Sequence, residues 1–199
     1  MRWQEHQKYW NECQKCPLGA LAQSHVLARW SRATDKETFR EWLFVGEAPG
    51  PSEDALGEAF VPHAPAGDVL ECLRCEAGIE SYCITNVIAC FPVDFDKLKE
   101  TGKRDFRAPS KDEAEACNPR VAQLIAIVRP KAIVLLGLEA KRYASKLADA
   151  AGIPHCEIAH PSAIGRWDGF TRDWERRRRE NVQYKKARDT LALFMETLS

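Results

Sequence analysis

Short apolar runs alternate with longer amphipathic segments along this chain. The runs are typical of buried strands, and they predict four, at residues 42–45, 82–89, 130–137 and 153–159. Apolar residues recur at helical spacing elsewhere, which predicts helices at residues 3–12, 67–77, 110–128, 138–151 and 181–198. This alternation indicates an α/β fold, in which helices cover both faces of a mostly parallel four-stranded sheet.

The remaining segments are polar. Residues 24–40 are predicted to form a loop or hairpin, and the charged stretch 93–107 is predicted to be a surface loop. The sequence has no internal repeat, and 199 residues suit a single domain, since domains usually hold about 100–200 residues. We therefore expect one domain over residues 1–199, with a basic C-terminal arm and helix from about residue 166.

Composition narrows the class of protein. Hydrophobic residues make up 45% and charged residues 29% of the chain, as in soluble globular proteins. No apolar run approaches the roughly 18 residues of a membrane helix, and the N-terminus lacks the apolar core of a signal peptide. We therefore expect a cytoplasmic protein with no membrane partner. The formal net charge of zero does not by itself favour nucleic-acid binding.

Eight cysteines in a reducing compartment favour metal or cluster binding over disulfides. Cys13 and Cys16 form a Cys-x-x-Cys pair on a tight turn before Pro17, which is a common half of a metal site. Cys72 and Cys75 form a second such pair. Because they extend the apolar face of a predicted helix, we expect these two to pack in the core.

The first predicted strand runs into a loop rich in glycine, proline and acidic residues. Its glycines, Gly46 and Gly50, permit close backbone approaches. Its acidic residues are Glu47, Glu53, Asp54 and Glu58. Open α/β sheets bind ligands at the carboxyl ends of their strands, so this loop is a candidate ligand site. An ordinary strand-to-helix connection is the alternative interpretation.

Polar residues also follow two other predicted strands. Asn86 ends the second strand and His160 follows the last, so both are expected at the same sheet edge as Glu47. Phe60 adds a flat apolar surface from the loop. Together these residues predict a site that stacks a planar ring, binds its polar edge with an amide, and has His and Glu for chemistry. Alternatively, Asn86 caps a turn and His160 is structural.

Four motifs, in order, carry a resemblance to a known family. They are Gly46-Glu-Ala-Pro-Gly50 with Glu53-Asp54, Gly57-x-x-Phe60-Val61, Thr85-Asn86, and His160-Pro161-Ser162. This arrangement resembles the uracil-DNA glycosylase superfamily, and most of all its iron–sulfur branch, often called family four. The likeness covers roughly residues 13–162.

The resemblance implies a three-layer α/β/α sandwich that extrudes uracil from DNA, single- or double-stranded, and hydrolyses its N-glycosidic bond. It implies that Phe60 stacks on uracil, that Asn86 hydrogen-bonds the uracil edge, and that His160 stabilises the uracil anion. Glu47 would position water or balance the positive charge on the sugar. The implied catalytic residues are Glu47 and His160, and the implied substrate-binding residues are Gly46, Ala48, Glu53, Phe60 and Asn86. Ala48 departs from the best-studied branch, which has Asp there.

The resemblance also implies a cofactor and a DNA-binding surface. Cys13, Cys16, Cys90 and Cys117 match the four ligands of a [4Fe–4S] cluster, with zinc as the alternative occupant. Ser162, Ile164 and Arg166 would contact DNA, with Ile164 as an apolar wedge that fills the space left by the extruded base. An arginine run at 172 and 176–179 would extend the phosphate contacts, unless it forms a solvated face paired with Glu175 and Glu180. We expect a monomer.

Two features leave other activities open. The loop at residues 62–66 is two residues longer than is usual in the family, which leaves room for a glycosylase of a different base. Ala48 in place of Asp leaves room for a module that captures a damaged or modified base without cleaving it, although His160 with Glu47 argues against that alternative.

One branch of the superfamily forms a covalent DNA adduct through a His in a Gly-Lys-Arg loop. This chain has Gly102-Lys103-Arg104 there but Arg107 at the His position, so we expect turnover instead.

Overall fold

The structure is a computed structural model that describes residues 1–31, 41–167 and 180–198, with the backbone alone at 165–167. Its strands are β1 (Arg29–Trp30), β2 (Trp42–Gly46), β3 (Tyr82–Asn86), β4 (Ala132–Leu136) and β5 (His155–Ile158). Its helices are α1 (Trp3–Asn11), a 3-10 turn (Pro17–Ala20), α2 (Pro51–Leu56), α3 (Pro65–Glu76), α4 (Phe95–Thr101), α5 (Lys111–Val128), α6 (Leu138–Ala150), α7 (Pro161–Trp167) and α8 (Val182–Glu196).

One mixed sheet with the strand order β1-β3-β2-β4-β5 runs through the molecule. The four predicted strands are present and pair in parallel, which confirms the α/β class. The predicted number of strands was wrong, because β1 adds a fifth, antiparallel strand at one edge. Only two residues long, β1 carries no alternation of apolar and polar residues, and therefore gives no strand signal in the sequence.

Helices cover both faces of the sheet, as predicted for a three-layer α/β/α sandwich. Leu43 and Val45 face a core formed with α1, α5 and α6, whereas Trp42 and Phe44 face a second core formed with α3, α7 and α8. Every residue of β2 is buried for this reason. Parallel strands covered on both faces need near-continuous apolar runs, which is why the sequence identified the central strands.

Strand register gathers the ends of the parallel strands at one edge of the sheet. Gly46 of β2 lies opposite Asn86 of β3, and Leu136 of β4 lies opposite Ile158 of β5. The residues that follow these strands therefore project from the same edge, which is where the sequence placed the candidate ligand site.

The charged insertion at residues 93–107 is more ordered than predicted. It contains α4, whose N-cap Asp94 accepts hydrogen bonds from the backbone amides of Asp96 and Lys97. Val93 and Phe106 then pair in an isolated antiparallel bridge that closes the segment at its base. The prediction of a surface loop was wrong for this helix, which has no buried residue to give it an apolar face. In the part of the chain that the structure describes, no helix is both long and apolar enough to span a membrane.

Candidate active site

Gly46 allows two candidate site residues to meet at the end of β2. A Cβ atom built on Gly46 would lie 2.3 Å from Oδ1 of Asn86 and 2.6 Å from Cε2 of Phe60. Both distances are far below van der Waals contact. Glycine is therefore required here for close packing, and its role is to let the amide of Asn86 and the ring of Phe60 lie side by side.

The side chain of Asn86 is buried and has no hydrogen-bond partner among the described residues. Asn86 is 1% exposed, and neither Oδ1 nor Nδ2 is bonded in that part of the chain. Its backbone, by contrast, is fixed, because its carbonyl accepts a hydrogen bond from Nη2 of Arg120. Leaving a buried amide unsatisfied costs about 1–3 kcal/mol for each lost partner. Such a group calls for a functional explanation, and a ligand with complementary polar atoms supplies one.

Phe60 is held in a conformation that few non-glycine residues adopt. Its φ is +49°, in the left-handed region, and its side chain is 3% exposed. Gly67 at the start of α3 permits this turn, since a Cβ there would lie 2.1 Å from the carbonyl oxygen of Val61. Backbone outliers of this kind cluster at functional sites. The ring centroid of Phe60 lies 5.7 Å from that of His160.

His160 has a defined orientation at the start of α7. Its Nδ1 accepts a hydrogen bond from the backbone amide of Ser162 at 3.2 Å and lies 2.8 Å from Oγ of the same residue. Because Nδ1 is an acceptor, the proton of the neutral ring is on Nε2. Gly137, with φ +89°, gives His160 room, since a Cβ there would lie 2.9 Å from the histidine Cβ.

The acidic residues of the loop differ in their surroundings. Glu53 accepts a hydrogen bond from the backbone amide of Gly50 at 2.9 Å, so it caps the start of α2. Burial raises the pKa of Glu53, and its backbone hydrogen bonds oppose that shift. The loop is thus also a strand-to-helix connection. Glu47 lines both cavities at the sheet edge, whereas Glu53 lines one.

Two adjoining cavities open at this edge and share Glu47 and His160. The first has a volume of about 590 Å³ and is lined by Glu47, Ala48, Gly50, Pro51, Ser52, Glu53, Phe60, Ala64, Pro65, Ala66, Phe106, His160 and Ser162. The second, of about 660 Å³, includes Leu138, Gln183 and Lys186. We call these the Phe60 cavity and the Leu138 cavity. Each has room for more than a single pyrimidine ring.

Most of the predicted site residues therefore lie together. The residues that line the Phe60 cavity include Glu47, Ala48, Glu53, Phe60, His160 and Ser162. Gly46 packs against the ring of Phe60, with the side chain of Asn86 beside it.

Ile164 lies elsewhere. It is fully buried in the core between the sheet and α3, so the wedge role predicted for it gains no support. Arg166 belongs to α7, but its side chain is outside the described part, as are the arginines at 172 and 176–179.

The four predicted cluster ligands converge on one small cavity. Cys13 and Cys16 lie just before the 3-10 turn at Pro17–Ala20, Cys90 follows β3, and Cys117 lies on α5. Burial raises the pKa of Cys90 far above its usual range, and the adjacent Cys117, Cys16 and Cys13 raise it further. All four cysteines line this cavity. Over the described ranges, no three His, Cys, Asp or Glu side chains are arranged to hold one metal ion.

The second Cys-x-x-Cys pair behaves differently at its two positions. Cys72, on α3, is partly buried and packs against the core, as predicted. Cys75 is exposed, so its predicted core position was wrong. Val69, Leu70 and Leu73 form the buried face of α3, and Cys72 lies at the edge of that face. At about 100° per residue, Cys75 lies about 60° farther round the helix, on the exposed side.

Arg120, which is fully buried on α5, was not among the predicted site residues. Its guanidinium donates to the Leu27 carbonyl and to Oγ1 of Thr85, both at 3.0 Å, and to the Asn86 carbonyl. Burial lowers the pKa of Arg120, and the adjacent Cys117 opposes this. A signal was available, because Arg120 lies three residues after Cys117 and four before Leu124, on the apolar face of that helix.

Comparisons with known proteins agree with this geometry. The profile of the Uracil DNA glycosylase superfamily matches residues 35–182. The chain therefore belongs to the uracil DNA glycosylase superfamily.

Curated relatives indicate the branch. The chain is 32% identical to the type-4 uracil-DNA glycosylase of Pyrobaculum aerophilum over 173 residues, which are 76% of this chain and 79% of the relative. It is 32% identical to that of Archaeoglobus fulgidus over 139 residues, 69% of this chain and 60% of the relative. It is 33% identical to that of Saccharolobus solfataricus over 138 residues, 68% of this chain and 55% of the relative. All three of these relatives are thus type-4 uracil-DNA glycosylases.

Proposed function

We propose that this protein is a uracil-DNA glycosylase that extrudes uracil from DNA and hydrolyses its N-glycosidic bond. The observation that carries the proposal is the buried amide of Asn86, which has no hydrogen-bond partner among the described residues and lies next to the ring of Phe60. The oriented imidazole of His160 is also close to that ring. Extrusion is needed because a stacked base hides the bond to be cleaved, and it costs a few kcal/mol.

Recognition rests on the two polar atoms of the Asn86 side chain. The amide donates from Nδ2 to O4 of uracil and accepts at Oδ1 from N3–H. Cytosine presents a donor and an acceptor in the opposite order, so it would leave both atoms of Asn86 unsatisfied in a buried position. Stacking on Phe60 holds the ring in plane but does not distinguish the two bases.

Catalysis rests on charge that develops as the bond breaks. The sugar becomes an oxocarbenium-like cation and the base leaves as an anion. The Nε2–H of His160 donates to O2 of that anion, and Ser162 keeps the imidazole in the tautomer that makes this possible. We assign the positioning of water, or compensation of the sugar's positive charge, to Glu47. The other candidates are less suitable, because the carboxylate of Glu53 is bonded to the Gly50 amide at the start of α2 and Ala48 has no carboxylate.

We also propose that Cys13, Cys16, Cys90 and Cys117 hold a [4Fe–4S] cluster. Four cysteines can hold either zinc or an iron–sulfur cluster, and the similarity of this chain to type-4 relatives favours the cluster. When bound, it would tie the N-terminal turn to β3 and α5. The expectation of a cytoplasmic monomer stays a prediction.

Excision from defined oligonucleotides tests the proposed function. Single- and double-stranded DNA carrying uracil, hypoxanthine or an unmodified base is incubated with the protein and then treated with alkali, which breaks the strand at an abasic site. We expect cleavage at uracil. Asn86→Ala and His160→Ala should each lose about 2.7–4 kcal/mol of transition-state stabilisation, by analogy with a lost oxyanion partner.

A matched control separates chemistry from folding. His155→Ala removes an imidazole at the start of β5, where His155 lines neither cavity, and should leave the rate unchanged. His160→Ala should still bind uracil-containing DNA, because His160 acts mainly as charge develops. Parent-like rates for both site variants would place the active site elsewhere.

A further inference from the structure

An extruded base leaves a space in the duplex, and proteins fill such spaces with apolar side chains. The side chain that does so must be exposed, must lie at the mouth of the base pocket, and must be held rigidly. Ile164 fails the first two conditions in this structure, because it is fully buried in the core and does not line the Phe60 cavity. Another apolar residue is therefore needed at the mouth.

Phe106 meets the first two conditions. Its side chain is 51% exposed, and it lines the Phe60 cavity together with Phe60 and Ser162. The ring is therefore available to solvent beside the place where the base is to be bound. Single aromatic residues are often exposed on protein surfaces, but nothing in the fold explains why Phe106 is exposed at the rim of the Phe60 cavity.

Phe106 also meets the third condition. It pairs with Val93 in an antiparallel bridge, and Arg107 next to it donates its backbone amide to the Pro92 carbonyl at 3.0 Å. The ring centroids of Phe106 and Phe91 are 6.0 Å apart, and Phe91 is 2% exposed, so the ring of Phe106 packs on a buried side chain. Two residues earlier, Arg104 is ion-paired at 2.7 Å with Asp54, a 1%-exposed residue of α2.

A second exposed apolar residue lies nearby and is the rival for the same role. Leu138 at the start of α6 is 74% exposed and lines the Leu138 cavity. That cavity does not include Phe60, the residue on which the extruded ring stacks. Phe106 shares the cavity of Phe60 and carries an aromatic face, which stacks on bases.

We propose that Phe106 is the wedge that enters the duplex and occupies the space left by the extruded base. The proposal rests on the proposed function. It gives the insertion at residues 93–107 a role, because the bridge and the ion pair of Arg104 hold the ring at the mouth of the cavity.

Three uracil substrates test the wedge. The first is single-stranded, the second is a duplex with guanine opposite uracil, and the third has a pyrene nucleotide opposite uracil, which fills the space itself. Phe106→Ala should lower kcat/KM on the guanine duplex roughly 5- to 150-fold, the fold-change for losing one base–aromatic stack. The loss should be much smaller on the single strand, and the pyrene duplex should restore the parent rate. Phe106→Trp should retain activity.

Leu193→Ala is the matched control, since Leu193 is 64% exposed on α8 and lines neither cavity. Three results would overturn the proposal: no loss on the guanine duplex, an equal loss on all three substrates, or the pyrene-rescued loss appearing in Leu138→Ala instead. Failure of the parent protein to release uracil from single-stranded DNA would count against the proposed function. That result is separate from every comparison between variants.

Discussion

Replacement of Asn86 by leucine should make the protein more stable and less active. Leucine has the same branched shape as asparagine but no polar atoms. In the folded protein the amide is 1% exposed with neither polar atom bonded among the described residues, whereas water satisfies it in the unfolded chain. Since an unsatisfied buried group costs about 1–3 kcal/mol, Asn86→Leu should raise the free energy of unfolding by up to that amount.

The assay is thermal or urea unfolding, measured beside uracil excision. Each kcal/mol should raise Tm by about 2–4 °C in a chain of this size. Excision should fall by at least the 2.7–4 kcal/mol, roughly 100- to 1,000-fold, expected for a lost oxyanion partner. Stability and activity would then change in opposite directions, as expected for a residue kept for its ligand.

Asn181 supplies the matched control. It is 6% exposed, but its Oδ1 accepts from the Tyr184 amide at 2.8 Å and its Nδ2 donates to the Ile164 carbonyl at 3.3 Å. Asn181→Leu should therefore destabilise the protein by about 0.5–2 kcal/mol, as the loss of a helix N-cap does. If Asn86→Leu is destabilised to the same extent as Asn181→Leu, the amide of Asn86 is structural and is not kept for a ligand.

Two further predictions concern the cluster and the reaction product. Purified without oxygen, the protein should be brown and contain equal amounts of iron and sulfide. Cys117→Ser should lower the iron content. Bound zinc, or an unchanged iron content in the variant, would contradict the cluster assignment. No covalent protein–DNA adduct should survive denaturing gel electrophoresis, because the hydrogen bond to Glu113 raises the pKa of Arg107 and keeps it a cation that cannot attack the sugar. A stable adduct of the parent chain would refute this.

The sequence was sufficient for the central sheet and for most of the site. Strands buried on both faces need continuous apolar runs, so β2, β3 and β4 gave clear signals. Parallel strands expose their carboxyl ends at one edge, so the order of the strands is enough to predict that Glu47, Asn86 and His160 lie together. The packing role of Gly46 follows from the same register.

The remaining features depend on information that a sequence pattern does not hold. Strand β1 is too short for a period, and α4 has no buried residue to mark a face. Whether Ile164 points to DNA or to the core depends on how α7 is rotated against α3. The positions of Phe106 and Arg120 depend on contacts across the chain, to Phe91 and to the carbonyls of Leu27 and Asn86.

The central claim is that the amide of Asn86 selects uracil for excision. Its most direct test is single-turnover release of the base by the parent protein from one oligonucleotide sequence that carries uracil or cytosine at the same position. We predict release of uracil and no measurable release of cytosine. Release of cytosine at the rate of uracil, or no release of uracil, would contradict the claim.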